Sequence, residues 1–86
     1  MVFLAITSNG LVRAIQAAAK TGDNVWCGAD AICEIHDSHS EFRGLSRFNY
    51  ALQGEGQAVI QDAVQTIREH HPGEIIWIES VSDSEP

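Results

Sequence analysis

The stretch from Asn24 to Leu52, NVWCGADAICEIHDSHSEFRGLSRFNYAL, decides the fold. Its first part alternates: Val25, Cys27, Ala29, Ala31, Cys33 and Ile35 are apolar, while Trp26, Gly28, Asp30, Ile32, Glu34 and His36 are mixed and partly charged. A period of two marks a strand with one buried face, because successive side chains point to opposite sides. The run from Glu41 to Leu52 alternates in the opposite phase, with Phe42, Gly44, Ser46, Phe48, Tyr50 and Leu52 on one side. Between them, Asp37-Ser38-His39-Ser40 has the composition of a turn. This reading predicts an antiparallel hairpin in which His36 pairs with Glu41, Glu34 faces Arg43 and Asp30 faces Arg47. On its other face Cys33 meets Gly44, Ala29 meets Phe48 and Cys27 meets Tyr50. A one-residue slip would invert both faces, so the register is well specified.

Working outward, Val2-Phe3-Leu4-Ala5-Ile6-Thr7 is a nearly continuous apolar run, as in a central strand covered on both faces. Ser8 or Asn9 then suits a helix cap. Leu11, Val12, Ile15, Ala18 and Ala19 follow at helical spacing, and Gly22 suits a left-handed C-terminal turn. Past the break Gln53-Gly54-Glu55-Gly56, a second helix is predicted from about Gln57 to His70, with Val59, Ile60, Ala63, Val64 and Ile67 as its apolar stripe. Pro72-Gly73 stops it, and Glu74 to Glu79 reads as a last strand carrying Ile75, Ile76, Trp77 and Ile78.

The order β-α-β-β-α-β predicts an α+β, ferredoxin-like sandwich: a four-stranded antiparallel sheet, order 4-1-3-2, with both helices on one face. One domain over residues 1–80 and an acidic, poorly ordered tail over 81–86 complete the reading. The alternative is a three-layer α/β domain with parallel strands, should the central stretch be loop.

A chain of 86 residues supports one modest core. No apolar run approaches the ~20 residues of a membrane span, and the start lacks the basic residues of a signal peptide, so a cytoplasmic protein is expected. On one extended strand Cys27 and Cys33 would lie roughly 20 Å apart, too far for a disulfide. Both are expected reduced and buried. The net charge is −7. Asp23, Asp30, Glu34, Asp37 and Glu41 crowd Thr21 to Phe42 without a base, and Glu74, Glu79, Asp83 and Glu85 close the chain without one. This balance argues against direct nucleic-acid binding, which draws on Lys and Arg.

In the sandwich, the open sheet face carries Trp26, Asp30, Ile32, Glu34, Arg43, Leu45, Arg47 and Asn49. Trp26, Ile32, Leu45 and, from the last strand, Trp77 make it too apolar to stand bare, which predicts a homodimer or a partner interface. Asp37 and Glu41, at the hairpin tip, extend the partner-binding set. The octapeptide Arg43-Gly44-Leu45-Ser46-Arg47-Phe48-Asn49-Tyr50 resembles that of RNA-recognition motifs at its basic first residue, its Gly and its final aromatic. That family's base-stacking aromatics fall on Leu45 and Arg47, so the stacking platform is not reproduced. His36 and His39 beside Asp37 and Glu41 have the chemistry of zinc ligands, but no spacing matches a closed site, and no metal or other cofactor is assigned.

No nucleophile elbow or phosphate-cradling loop with Lys occurs. CRISPR-associated small endonucleases share the predicted element order but carry an acid after the first strand, where this chain has Ile6-Thr7-Ser8-Asn9. The sequence therefore predicts a small acidic, non-enzymatic interaction or regulatory protein, inhibitor- or antitoxin-like. It would bind a basic partner, such as a nucleic-acid-binding protein, with its acids imitating phosphates. The alternative is a ferredoxin-like metal-dependent nuclease or RNA-processing enzyme.

Overall fold

The computed structural model describes residues 1–32 and 43–79. The apolar run at the start forms β1, Val2–Ala5. Helix α1, Ser8–Thr21, follows directly. Its N-cap is Thr7, one residue earlier than the expected Ser8 or Asn9: extended backbone there lets Thr7 Oγ1 accept the Gly10 N–H at 3.0 Å. At the other end Gly22 adopts φ 81°, and its N–H donates to the Ala18 carbonyl. A β-carbon would be strained in that left-handed conformation, which is why the helix stops at this glycine.

The central stretch departs from the predicted hairpin. Of the described residues in its first part, Asn24–Cys27 is strand (β2), and Ala29–Ile32 turns into a short helix, α2. Leu45–Arg47 forms β3, and it runs parallel to β2, with Val25 beside Leu45, Trp26 beside Ser46 and Cys27 beside Arg47. The predicted pairings of Asp30 with Arg47, Ala29 with Phe48 and Cys27 with Tyr50 are therefore absent from the described ladder. The Phe48 N–H instead donates to the Cys27 carbonyl, and the Ala29 N–H to that of Tyr50. The pairings of Glu34, Cys33 and His36 lie outside the described residues. Helix α3, Gln57–His70, has the expected extent, and β4, Ile76–Ile78, is the last strand among the described residues.

The sheet order is β3-β2-β1-β4, all parallel, so the antiparallel ferredoxin-like sandwich and its order are overturned. The architecture is the parallel alternative. Its helices lie on opposite faces, as β1 makes plain: Ala5, with Phe3 packed beside it, joins Leu11, Ile15, Ala18, Val25 and Cys27 under α1. Val2, Leu4 and Ile6 join Trp26, Phe48, Leu52, Ala63 and Ile67 under α3. The physical reason is legible in burial. Val25, Trp26, Cys27 and Gly28 are all buried, the signature of a strand covered on both faces rather than of an alternating one.

Gly28 is where the strand must end. A β-carbon there would lie 2.8 Å from the Leu52 backbone nitrogen. Immediately after it, the Asp30 carboxylate accepts the Leu52 and Gln53 N–H groups, each at 3.2 Å, tying the approach to α3 against α2. Among the described residues, no helix is long and apolar enough to cross a membrane.

Candidate functional site

In an open parallel sheet, ligands and contacts gather outside the carboxyl ends of the strands, where the strand order reverses. Here that point lies between β1 and β4, because the chain first winds from β1 through β2 to β3 and then crosses back. The Ile6-Thr7 turn leaves β1 on one side of the crevice, and Glu79 leaves β4 on the other.

The crevice is closed by the chain's own carboxylate. Glu79 Oε1 accepts the Ile6 N–H at 2.6 Å and the Thr7 N–H at 2.8 Å, and Oε2 accepts the Thr7 hydroxyl at 2.6 Å. Thr7 Oγ1 in turn accepts the Gly10 N–H, so one relay links the last strand to the first turn of α1. A negative group belongs at this position, since the first N–H groups of a helix are unsatisfied and its dipole is positive there. Gly10 makes the approach possible: a β-carbon at that position would overlap the carboxylate.

Two troughs flank this clamp and share Ile78 and Glu79. The larger, about 660 Å³, lies between α1 and β4 and is lined by Phe3, Gly10, Arg13, Ala14, Ala17 and Trp77 among others. The smaller, about 350 Å³, lies between the Gly54-Glu55 loop, α3 and β4, with Leu52 and Ile60 in its wall. Strand β4 is the edge of the described sheet, and apolar residues there are open: Trp77 is 56 % and Ile78 47 % exposed, and Ile75, just before the strand, 68 %. Trp77 stands beside Phe3 in the ladder, on α1's side, and α1 packs over β1 and β2 without covering it.

The predicted partner-binding residues are not brought to one face. Trp26 is buried under α3, its ring 5.1 Å from that of Phe48, and its indole N–H donates to His71 Nε2 at 3.1 Å. Leu45 packs on the opposite face with the α1 cluster. Asp30 is spent on the Leu52 and Gln53 amides, and Ile32 ends α2. Arg43 and Arg47 are exposed, at the turn before β3 and at its end. Glu34, Asp37 and Glu41 lie outside the described residues, as do His36, His39 and Cys33. With helices on both sides of the described sheet, the face expected to carry Trp26 and Leu45 together is covered, and Trp26 and Leu45 lie on opposite sides of it.

Asp23 is likewise engaged. It accepts the Thr21 hydroxyl at 2.6 Å, which holds its carboxyl below the usual range, with the Met1 amino group 3.3 Å away. Cys27 is a free, buried thiol, and burial pushes its pKa up to about 11. Burial also raises the Tyr50 phenol. Among the described residues, no cluster of His, Cys, Asp and Glu could hold a metal ion.

Glu79, Thr7 and Gly10 are what the sequence reading missed; Trp77 it placed on an apolar contact surface, but on a sheet face shared with Trp26 rather than on an edge strand. One local signal was available, an acid immediately after an apolar strand. Its partner, some seventy positions away, has no spacing rule to reveal it. No protein family, curated protein or solved structure matches the chain.

Proposed function

We propose that this chain is a non-enzymatic interaction domain that engages a basic protein partner along the β4 edge. The observation that carries the reading is the exposure of Trp77 and Ile78 on an edge strand of a small domain, with exposed Ile75 just before it. Large apolar side chains left open on one short segment mark contact sites, and an edge strand offers backbone groups as well. Charge supports the sign of the partner: the chain is −7 overall, and no Lys or Arg follows Arg68.

The carboxylate at the switch point supports binding over catalysis. Both of its oxygens accept hydrogen bonds from the chain itself, leaving it engaged as a clamp rather than poised as a base. The test compares retention of partners from the native extract by the wild type and by an Ile75→Ser/Trp77→Ser variant. A partner held by the wild type, lost by the variant and released as ionic strength rises supports the reading. Equal retention by both proteins, or retention indifferent to salt, overturns it.

A further inference from the structure

We infer that the β4 edge accepts an extended, basic segment of the partner as a fifth strand, with an apolar residue of that segment beside Trp77. This deepens the proposed function and rests on it. The argument begins with the ladder. The Val2 N–H donates to the Ile75 carbonyl at 2.8 Å and the Glu79 N–H to the Leu4 carbonyl at 2.9 Å. With Val2 beside Ile76 and Leu4 beside Ile78, the backbone groups of Ile75, Trp77 and Glu79 point toward β1. Alternation along a strand then turns the N–H and C=O of Ile76 and Ile78 outward. These form the row to which an added strand bonds, the mode in which main-chain bonds supply affinity and alternate side-chain positions supply specificity.

The side chains of such a strand would find different surroundings on the two faces. On α1's side lies the trough of about 660 Å³, floored by Phe3 and Trp77 and walled by the small side of α1 at Gly10, Ala14 and Ala17. An apolar residue entering there covers Trp77 and needs no polar partner. Around the strand, Glu74 before it pairs with the Met1 amino group at 2.6 Å and Glu79 after it is held by Ile6 and Thr7, with Asp83 and Glu85 further along the sequence. Arg13, on the far wall of the trough, is the cation lining it.

Charge complementarity selects the occupant. A second copy would bring another −7 to the same edge, whereas a basic foreign segment is drawn to the chain's net negative charge.

Backbone and side-chain contributions separate cleanly in this geometry. Ile78→Pro removes an outward N–H while sparing the bonds to β1, as proline is tolerated on the free side of an edge strand. Ile78→Thr keeps the N–H and serves as its control. Trp77→Ala removes the apolar anchor and leaves every backbone group.

The probe is a capped peptide alternating valine and lysine over about eight residues, longer than a typical strand. Its binding is read by the emission of Trp77, the exposed indole, and folding of each variant is checked by thermal melting. The expected result is saturable binding with a blue shift, weakened about ten-fold by Ile78→Pro through lost backbone bonds. Ile78→Thr should change it little, while Trp77→Ala, read by calorimetry, should weaken it as well. A valine–glutamate peptide should not bind. Equal binding by Ile78→Pro and Ile78→Thr, equal binding of the glutamate peptide, or no saturable binding at all overturns the inference. A mass that doubles with concentration in light scattering, and that Ile78→Pro returns to one chain, also overturns it, because the occupant is then a second copy. Failure here with a salt-sensitive, Trp77-dependent partner in the extract leaves the edge interface standing and removes only strand addition. Failure of both removes the function itself.

Discussion

The contact between Glu79 and Gly10 makes a prediction whose sign reverses with background. Replacing Glu79 by Ala removes an acceptor shared by the Ile6 and Thr7 amides and the Thr7 hydroxyl. Hydrogen bonds to a charged group contribute about 1.5–3 kcal/mol each at most, and a carboxylate at a helix N-terminus adds about 0.3–1 kcal/mol. The site is only part-buried, so water can reach the freed amides, and the expected net loss is about 2–4 kcal/mol. That is a large share of the about 4–13 kcal/mol that 86 residues support.

Gly10→Ala should be helpful on helix propensity alone, by up to about 1 kcal/mol. In the wild type, however, the new methyl takes the carboxylate's place, and the clamp must open. Opening it cannot cost more than deleting it, so the net effect is a loss of about 1–3 kcal/mol. With Glu79→Ala already present nothing is displaced, and the same substitution should gain up to about 1 kcal/mol. Urea denaturation of the four proteins closes the cycle. At a slope of about 1 kcal/mol per molar, midpoints should move by molar amounts. Glu79→Gln should fall between, because its amide oxygen can still accept the two backbone N–H groups. The reasoning is refuted if Gly10→Ala has the same sign and size in both backgrounds.

Other expectations follow from the described contacts. Gly28→Ala should cost about 1–3 kcal/mol by overpacking against the Leu52 backbone, which cannot swing aside as a side chain can; chemical denaturation measures it. Trp26→Phe keeps the ring contact with Phe48 but loses the N–H to His71, and a thermal melt should show a loss of about 1–2 kcal/mol. In a Cys33→Ser background, Cys27 should resist a thiol reagent at pH 8 until the protein is unfolded, because the buried thiol holds its proton to about pH 11. The same shift fixes a direction for stability. Below the ordinary thiol value of 9.0 both states are protonated and the thiol contributes nothing, and above it only the unfolded thiol ionises, so denaturation midpoints should decline between pH 9 and 11.

Much of the local structure is legible in the residues themselves. The extents of α1 and α3 follow from apolar positions recurring at helical spacing, and the end of α1 from Gly22, because these are contacts within a turn or two. The apolar runs of β1 and β4 likewise declare themselves as strands. Between Val25 and Ile32, local pattern misleads. The alternation fits a half-buried strand, yet the chain leaves the sheet at Gly28, where packing against Leu52 leaves no room for a side chain. Whether β2 and β3 run parallel or antiparallel is set by which surfaces the helices cover, and no two-residue period encodes that.

The functional surface divides in the same way. Acidity is a property of composition, and the sequence alone establishes it. That Trp26 is buried while Trp77 stands open on an edge depends on where α1 and α3 come to rest. That Glu79 reaches the first turn of α1 depends on β4 lying beside β1, which joins residues from opposite ends of the chain. Periodicity and capping act over a few residues and can be read in order. Strand neighbourhood is chosen by the burial of the whole sheet, and only the folded chain expresses it.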